Sequence, residues 1–333
     1  MSLSDLPREI LLNIADHLGD RGINALALTN SQVYDLLNPH LYRRDVTKPR
    51  SKSLIWGAEY GVEGTIQQAI DAGQHFTPIS KNFQTALEIA VGLYREYARL
   101  VELLLQVDGI NPGKHLLGIA AARGHVNIVK LLLDHPGTDI NFADREGRTA
   151  LIRASKLEMV KLLLEQEGID INRQDRKGHT ALSRAVHYSG KWYTCEHRSL
   201  EVAKLLLERE DIDVNLREED NRRTPLHWAC LNDCQTLVDL LLEKDIDPNP
   251  RDFSWGHTPL AHVCFYLCGS VDLVRSLLSH PDTDPNSINN NGYSILAEMI
   301  SLRNTDGFNP LHYQLSIEIE SLLRAAGATY YRR

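Results

Sequence analysis

A short pattern that returns about every 33 residues constrains this chain more than any other feature. Its copies start at residues 52, 85, 115, 149, 180, 224, 258 and 294, so successive starts lie 33, 30, 34, 31, 44, 34 and 36 residues apart. Five copies open with Thr, then Ala or Pro, then Leu, as in the segment that begins at Thr224. A single period in this range is typical of solenoids, in which each unit buries its apolar face only by stacking on a neighbour.

Two further motifs recur in order inside these units. A Leu-rich block follows the opening motif at 101–105, 129–133, 160–164, 203–207 and 238–242. A closing motif then ends in Asn, at Asn111, Asn141, Asn172, Asn215, Asn249 and Asn286. We expect the Thr to cap a first helix, the Leu-rich block to form a second helix, and the Asn-containing segment with a following Gly to form a turn. The sequence therefore predicts eight stacked helix–turn–helix units.

These three motifs resemble the ankyrin repeat, over residues 52–330. The resemblance implies an all-α fold, an ankyrin-repeat solenoid preceded by a small N-terminal helical segment, and a function in binding another protein. The first and last units depart most from the pattern, which suits end caps with a more polar outer face. Two units carry insertions between their helices, near Trp192 and Tyr193 in the fifth and near 303–310 in the eighth.

In ankyrin arrays the turns between repeats project as fingers and, with the first helices, line the binding face. By that resemblance the candidate target-binding residues are Arg145, Arg176, Lys177, Arg251, Phe253 and Trp255, together with Trp192 and Tyr193 of the insertion. The aromatic candidates are the most informative, because aromatic anchors dominate the energy of many interfaces. The alternative for the aromatic candidates is that their rings fold back onto neighbouring structure. The alternative for the charged candidates is that their side chains are only solvated and bind nothing.

Residues 1–48 do not match the repeat and form a separate predicted domain. An apolar stripe at helical spacing runs through Ile10, Leu11, Ile14 and Leu18. With the Leu-Pro-x-Glu-Ile-Leu motif and a later Leu-Tyr-Arg segment, this region resembles an F-box over residues 3–46. The resemblance implies that the adaptor-binding residues are Leu6, Pro7, Ile10, Leu11 and Ile14, which would contact the Skp-type adaptor of a cullin–RING ubiquitin ligase. The other interpretation is that these helices only cap the first repeat.

The charge balance and the cysteine content limit the class of partner and the compartment. Lys+Arg 36 against Asp+Glu 44 gives a net charge of −8, and the first fifty residues are balanced, so the acidic excess lies in the repeats. Nucleic acid is therefore an unsuitable main partner. No apolar run of about 18 residues is present, so we expect no membrane span. Five cysteines, an odd number, indicate a reducing compartment, the cytosol or nucleus.

A cluster of sulfur and imidazole groups in the sixth and seventh units raises the question of a metal site. Its members are Cys230, Cys234, Cys264, Cys268, His227 and His262. The register of the repeat favours a structural role, because Cys230 and Cys264 share a column that is mostly small and apolar elsewhere, as at Ala58. The resemblance also implies that His227 makes a structural hydrogen bond between turns. We expect no metal and no cofactor.

A nucleophilic Cys–His pair is conceivable at Cys195 and His197, in the insertion of the fifth unit. The sequence offers neither an orienting acid nor an oxyanion hole for such a pair, and it contains no Gly-rich phosphate loop. We therefore expect a protein that is not an enzyme.

The leading hypothesis is a protein-binding adaptor, the substrate receptor of an SCF-type cullin–RING ubiquitin ligase. Its F-box-like segment would hold the Skp-type adaptor, its repeats would hold an unknown target protein, and the chain would be a monomer outside this complex. The alternative is an ankyrin scaffold or inhibitory binding protein with no ligase role, whose N-terminal helices act as a cap.

Overall fold

The computed structural model describes residues 6–18, 36–37, 52–73, 81–93, 95–107, 110–112, 114–154, 156–187, 198–265, 270–303 and 310–332. In these residues the chain forms seventeen named α-helices, and the extended pairing consists of two isolated bridges, Ile288 with Ser294 and Tyr293 with Arg332. The predicted all-α class is confirmed. No helix in the described ranges combines the length and the apolar character that crossing a bilayer requires.

The chain divides into two compact units, and the first is Met1–Ile140. Its helices are α1 (Arg8–His17), α2 (Lys52–Tyr60), α3 (Glu63–Gly73), α4 (Lys81–Gly92), α5 (Ala98–Leu105), α6 (Leu116–Arg123) and α7 (Val126–Leu133). From α2 onward they form three pairs. The first helices α2, α4 and α6 pack side by side, and the second helices α3, α5 and α7 form a parallel row.

The second unit is Asn141–Arg333 and contains five pairs. The pairs are α8 (Ala150–Arg153) with α9 (Leu157–Leu164), α10 (Ala181–His187) with α11 (Arg198–Leu207), α12 (Pro225–Leu231) with α13 (Gln235–Leu242), α14 (Pro259–Phe265) with α15 (Val271–Ser279), and α16 (Ile295–Arg303) with α17 (Pro310–Ala325). First helices again contact first helices, and second helices contact second helices. Each unit therefore has the layered packing of the predicted solenoid.

The Leu-rich blocks form the second helices because their apolar residues recur at helical spacing and become fully buried. In α13, the side chains of Leu237, Val238 and Leu241 have no solvent exposure. Burying each such side chain contributes about 2 kcal/mol to folding. A helix of eight residues is too short to be stable alone, so this burial between neighbouring repeats is what holds it.

Threonine caps three of the five first helices of the second unit, as predicted. The side-chain oxygens of Thr149, Thr180 and Thr258 accept hydrogen bonds from the main-chain N–H three residues later, at 3.3, 3.0 and 3.3 Å. The prediction is wrong at Thr85, which is exposed inside α4, since that helix begins at Lys81. The residues before it continue the helix because Phe83 is buried.

The asparagine of each closing motif in the second unit bridges to the next repeat. Asn172 donates from Nδ2 to the main-chain oxygen of Asp211 at 2.7 Å, and its Oδ1 accepts from the main-chain N–H of Asp213 at 2.8 Å. The same two-way bridge is made by Asn141, Asn215, Asn249 and Asn286. These side chains satisfy turn donors and acceptors that would otherwise need water, and they fix the register between repeats.

Candidate protein-binding surface

Five short turns of the second unit project beside the first helices, and we name them fingers 1 to 5. They span residues 144–148, 175–179, 218–223, 252–257 and 289–293. In each finger the main-chain N–H of the first residue donates to the main-chain oxygen of the last residue, at 2.9 to 3.0 Å. Fingers 3 and 4 each contain six residues where the other three contain five, so they have one more residue at the tip.

The sequence of each finger dictates its tight turn. In finger 2, Oδ1 of Asp175 accepts from the main-chain N–H groups of Lys177 and His179, both at 2.9 Å. Gly178 has φ of 77°, which favours glycine, and an added Cβ would lie 2.8 Å from the main-chain oxygen of Arg217. Finger 3 has Arg222 at φ of 55° in the corresponding position.

Main-chain hydrogen bonds tie each finger to the next. The N–H groups of Arg176, Glu219, Phe253 and Asn290 donate to the main-chain oxygens of Glu146, Lys177, Asn221 and Trp255, at 2.8 to 2.9 Å. Side chains add further links, among them those from Ser254 Oγ to Asn221 at 3.0 Å, from the Arg251 guanidinium to Asn290 at 3.3 Å and from Asn290 Nδ2 to the main-chain oxygen of Phe253 at 3.3 Å. The fingers therefore form one ordered row, numbered in chain order.

Ion pairs anchor the bases of the first two fingers to the first helices. Oδ2 of Asp144 lies 2.9 Å from Arg148 and 3.2 Å from Arg153 of α8. Burial raises the pKa of the Asp144 carboxyl, but the hydrogen bonds from Arg148 outweigh this and hold the pKa below its usual value. In finger 2, Oδ2 of Asp175 lies 3.7 Å from Arg184 of α10. The carboxylates at these bases are thus already compensated inside the molecule.

Further along the row, histidines instead of arginines contact the carboxylates at the bases of the fingers. His179 Nε2 lies 3.3 Å from Glu218 Oε2 of the next finger, and this hydrogen bond raises the pKa of His179 against the effect of burial. Under finger 4, Nε2 of His262 lies 3.1 Å from Oδ2 of Asp252, and both side chains are fully buried. His257 reaches Glu298 of the following repeat, also at 3.1 Å.

The carboxyl of Asp252 is held ionised by its surroundings. Burial raises its pKa, but the hydrogen bonds from His262 and from the main-chain N–H groups of Trp255 and His257 outweigh burial and leave the pKa far below the usual range. Burial lowers the pKa of His262. The neutral imidazole of His262 therefore holds the ionised carboxylate of Asp252, and this pair fixes the base of finger 4 to α14.

The described candidate target-binding residues lie on the fingers or directly beside them, and all are exposed. Arg145, Arg176 and Lys177 lie on fingers 1 and 2, and Arg251 immediately precedes finger 4. Phe253 is 71% exposed, so its ring does not fold back. Trp255 is 49% exposed, and its ring lies parallel to that of His257 with 6.4 Å between centroids. Trp192 and Tyr193 lie outside the described residues.

Sequence reasoning did not recognise the column of side chains that positions the fingers, although it noted His262 as a possible metal ligand. They stand four residues after the opening Thr or Ser of each repeat, at Arg153, Arg184, Trp228, His262 and Glu298. Four of them contact the first residue of their own finger, whereas Trp228 stacks on His187 with 4.0 Å between ring centroids. The polar character of this column, in helices that are otherwise apolar, is the signal that could have revealed it.

The candidate adaptor-binding residues lie at and before α1. Leu11 is buried with Ala15 and Leu37, and Leu6 and Ile14 are partly buried against these three residues. Pro7 is exposed, and Ile10 is 46% exposed. Among the five candidates, only Pro7 and Ile10 offer a largely exposed side chain.

Three members of the sulfur and imidazole cluster, Cys230, His227 and His262, are buried in the core, and Cys234 and Cys264 are half-buried. Nε2 of His227 donates to the main-chain oxygen of His257 at 3.2 Å, so the predicted bond between turns is confirmed, and Nδ1 accepts from the main-chain N–H of Thr224 at 3.2 Å. Burial raises the pKa of the Cys264 thiol to about 12 and raises that of Cys230 as well. Within the described ranges no three His, Cys, Asp or Glu side chains are grouped to hold a metal ion, and Cys195, His197 and Cys268 lie outside those ranges.

Comparisons with known proteins identify the repeat. The sequence profile of ankyrin repeats matches in three overlapping copies, at residues 87–175, 117–192 and 190–252. An ankyrin repeat-containing protein of Schizosaccharomyces pombe is 32% identical over 79 residues, which is 23% of this chain and 33% of that protein's length. No F-box profile is among the matches.

A solved structure shows the same fold, and a second one is compared for its sequence identity alone. An ankyrin repeat domain from Acinetobacter baumannii superposes with a TM-score of 0.53 at 22% identity and covers 65% of this chain and 99% of its own. The ankyrin repeat domain of Bcl-3, a member of the IkappaB protein family, gives a TM-score of 0.49 at 27% identity, over 64% of this chain and 86% of its own.

Proposed function

Because this chain contains ankyrin repeats across residues 87–252, we propose that it is a non-enzymatic binding protein whose fingers recognise a target protein. The observation that carries this proposal is the pair of exposed aromatic side chains at the tip of finger 4, Phe253 and Trp255. In the free chain Phe253 keeps 71% and Trp255 keeps 49% of its surface exposed to solvent, so both rings have apolar surface left to bury. Burying one ring in a partner contributes about 2 kcal/mol, and such anchors concentrate the binding energy of an interface.

The rigidity of the row of fingers supports the same function. Main-chain hydrogen bonds hold finger 4 to finger 3 through Phe253 and to finger 5 through Asn290. Since its backbone is already ordered, finger 4 loses little conformational entropy on binding, and more of the contact energy remains as affinity.

A quantitative capture experiment tests this function. The full chain, a Phe253→Ala/Trp255→Ala variant and a Tyr330→Ala control would be used as baits in the same cell extract. Tyr330 is also exposed, at 54%, but lies outside the fingers. We expect one or more proteins to be retained by wild type and by the control and lost from the double variant. A set of captured proteins that is identical for all three baits would exclude the fingers as the binding surface.

The finer proposal concerns residues 1–48, which would recruit a Skp-type adaptor and make the chain a substrate receptor of an SCF-type cullin–RING ubiquitin ligase in the cytosol or nucleus. The Leu-Pro-x-Glu-Ile-Leu motif supports it. The exposed side chain of Ile10 on α1 supports it as well, because an apolar residue on an amphipathic helix is normally buried.

In this role the chain would act by proximity. It would hold a target protein near the ligase, where the effective concentration of the target's lysines is raised without any chemistry by the chain itself. Copurification of a Skp-type adaptor with wild type but not with Ile10→Asp tests the role. If wild type retains no adaptor, the simpler scaffold function is left.

A further inference from the structure

We propose that the fingers recognise an extended protein segment that carries carboxylates at one end and an apolar side chain at the other, in one fixed direction. This inference rests on the proposed function and names the class of segment that the fingers accept. It follows from how charge and aromatic surface are distributed along the ordered row.

Fingers 1 and 2 carry an uncompensated positive charge. Each of their three carboxylates has a basic partner of its own: Asp144 lies 3.2 Å from Arg153, Glu146 lies 3.1 Å from Arg148 and Asp175 lies 3.7 Å from Arg184. The exposed side chains of Arg145, Arg176 and Lys177 have no ion pair among the described residues; we call these three the basic patch. The patch is positive although the whole chain has a net charge of −8, so it favours a carboxylate-bearing partner by charge complementarity.

Finger 3 has the opposite character at its tip. Glu219 and Asp220 are exposed there, and Arg222 is the single exposed base of this finger. Glu218 is buried against His179 and contributes nothing to the tip. A partner whose carboxylates faced finger 3 would meet like charge, which disfavours that register and favours carboxylates opposite fingers 1 and 2.

Finger 4 supplies the apolar end of the row. Phe253 and Trp255 flank Ser254, whose hydroxyl is tied to Asn221 at 3.0 Å, so the two rings stand on a fixed turn. Both lie beyond finger 3 as seen from the basic patch. The order along the row is therefore basic, acidic and aromatic, and it gives the bound segment a direction.

The spacing of the two ends follows from the packing of the repeats. Neighbouring packed helices lie about 8–10 Å apart, so finger 4 is roughly 20 Å from finger 2 and 30 Å from finger 1. An extended chain advances about 3.3 Å per residue. The carboxylates and the apolar side chain of the partner should therefore be separated by about six to nine residues.

Selection from a phage library of random linear peptides, about 15 residues long, on the immobilised full chain tests the inference. Peptides of this length span about 50 Å when extended, enough to reach from finger 1 to finger 4. We expect the selected peptides to share two or more carboxylates about six to nine residues from an aromatic or aliphatic side chain.

Two triple variants then locate the binding of the selected peptides. Arg145→Glu/Arg176→Glu/Lys177→Glu reverses the basic patch and should weaken binding by about tenfold or more. The control Lys161→Glu/Lys244→Glu/Arg275→Glu changes the net charge equally, on or beside second helices away from the fingers, and should bind as wild type does. Circular dichroism should be the same for all three proteins, because every changed side chain is at least partly exposed.

The inference is overturned if no peptide is selected, if the selected peptides lack carboxylates, or if both triple variants bind them equally. These failures are distinct from failure of the proposed function. Selected peptides without carboxylates that still lose binding to Trp255→Ala would leave a finger-based binding protein and remove only the charge requirement. An extract in which no captured protein depends on Phe253 or Trp255 would remove the function itself.

Discussion

The carboxamide of Asn249 is bonded to Asp284 of the next repeat, since its Oδ1 accepts the main-chain N–H of Asp284 at 2.7 Å. Its Nδ2 donates to the main-chain oxygen of Asp282 at 2.6 Å. One side chain therefore satisfies both a donor and an acceptor of the neighbouring turn, and its removal tests how far the stability of the second unit depends on such bridges.

We expect Asn249→Ala to lower the free energy of unfolding by about 1–3 kcal/mol, because two hydrogen bonds are lost together. Urea denaturation followed by circular dichroism measures this change. Asn291→Ala is the matched control, as Asn291 is exposed on finger 5 and should change stability by less than about 0.5 kcal/mol. Equal stabilities for the two variants would mean that water replaces the bridge at no cost.

His227 should make the stability of the second unit depend on pH. Burial lowers its pKa from 6.5 to about 3. Below pH 6.5 the unfolded chain binds a proton at this histidine, whereas the folded chain binds one only near pH 3. The free energy of unfolding is therefore unaffected by this group above pH 6.5 and decreases as the pH falls toward 3. At about pH 5 the loss from this group is roughly 2 kcal/mol.

Urea denaturation at about pH 7.5 and pH 5 measures the effect. Wild type should lose roughly 2 kcal/mol more than His227→Gln between these pH values, even though the variant is less stable throughout. His115→Gln, at an exposed histidine of α6's N-terminus, should retain the pH dependence of wild type. Parallel pH profiles for wild type and His227→Gln would contradict the prediction.

Trp255→Ala and Phe253→Ala should weaken target binding without a comparable loss of stability. Each is expected to weaken target binding by tenfold or more, about 1.4 kcal/mol, if the rings are anchors. The free energy of unfolding should change by less than about 0.5 kcal/mol for Phe253→Ala, because that ring is 71% exposed. Calorimetric titration with a captured partner and urea denaturation of each variant check both parts. A large loss of stability would identify the rings as part of the fold.

The N-terminal segment can be tested with three substitutions on one helix. Ile10→Asp should abolish copurification of a Skp-type adaptor while the circular dichroism spectrum is unchanged, because Ile10 is 46% exposed. Asn13→Asp introduces the same charge at another exposed position of α1 and should retain the adaptor. Leu11→Asp should unfold the segment, since Leu11 is buried.

The repeat architecture could be predicted from the sequence because its causes are local and periodic. The Leu-rich blocks, the capping Thr residues and the closing Asn residues each act over a few positions and recur at one spacing. The failure at Thr85 has a local cause as well. Its Thr-Ala-Leu pattern is present, but the preceding residues continue the helix and Phe83 is buried, so the Thr lies inside α4 and not at its N-terminus.

The surface was less predictable, because it depends on how one turn is registered against the next. The sequence could place Phe253 and Trp255 in a turn but could not decide between exposed and folded-back rings. In the structure, the bonds of Phe253 to Asn221 and of Trp255 to Asp252 fix the turn so that both rings project. Contacts between repeats, such as that of His179 with Glu218, arise only once the row has formed.

The main-chain links between fingers run through amide and carbonyl groups, which nineteen of the twenty amino acids supply alike. Replacing a tip side chain therefore leaves those links in place. In evolution, the binding partner could therefore change by one substitution at a time while every intermediate protein stays folded. For the same reason, the tip positions could be varied in a designed library to obtain new binding specificities on an unchanged backbone.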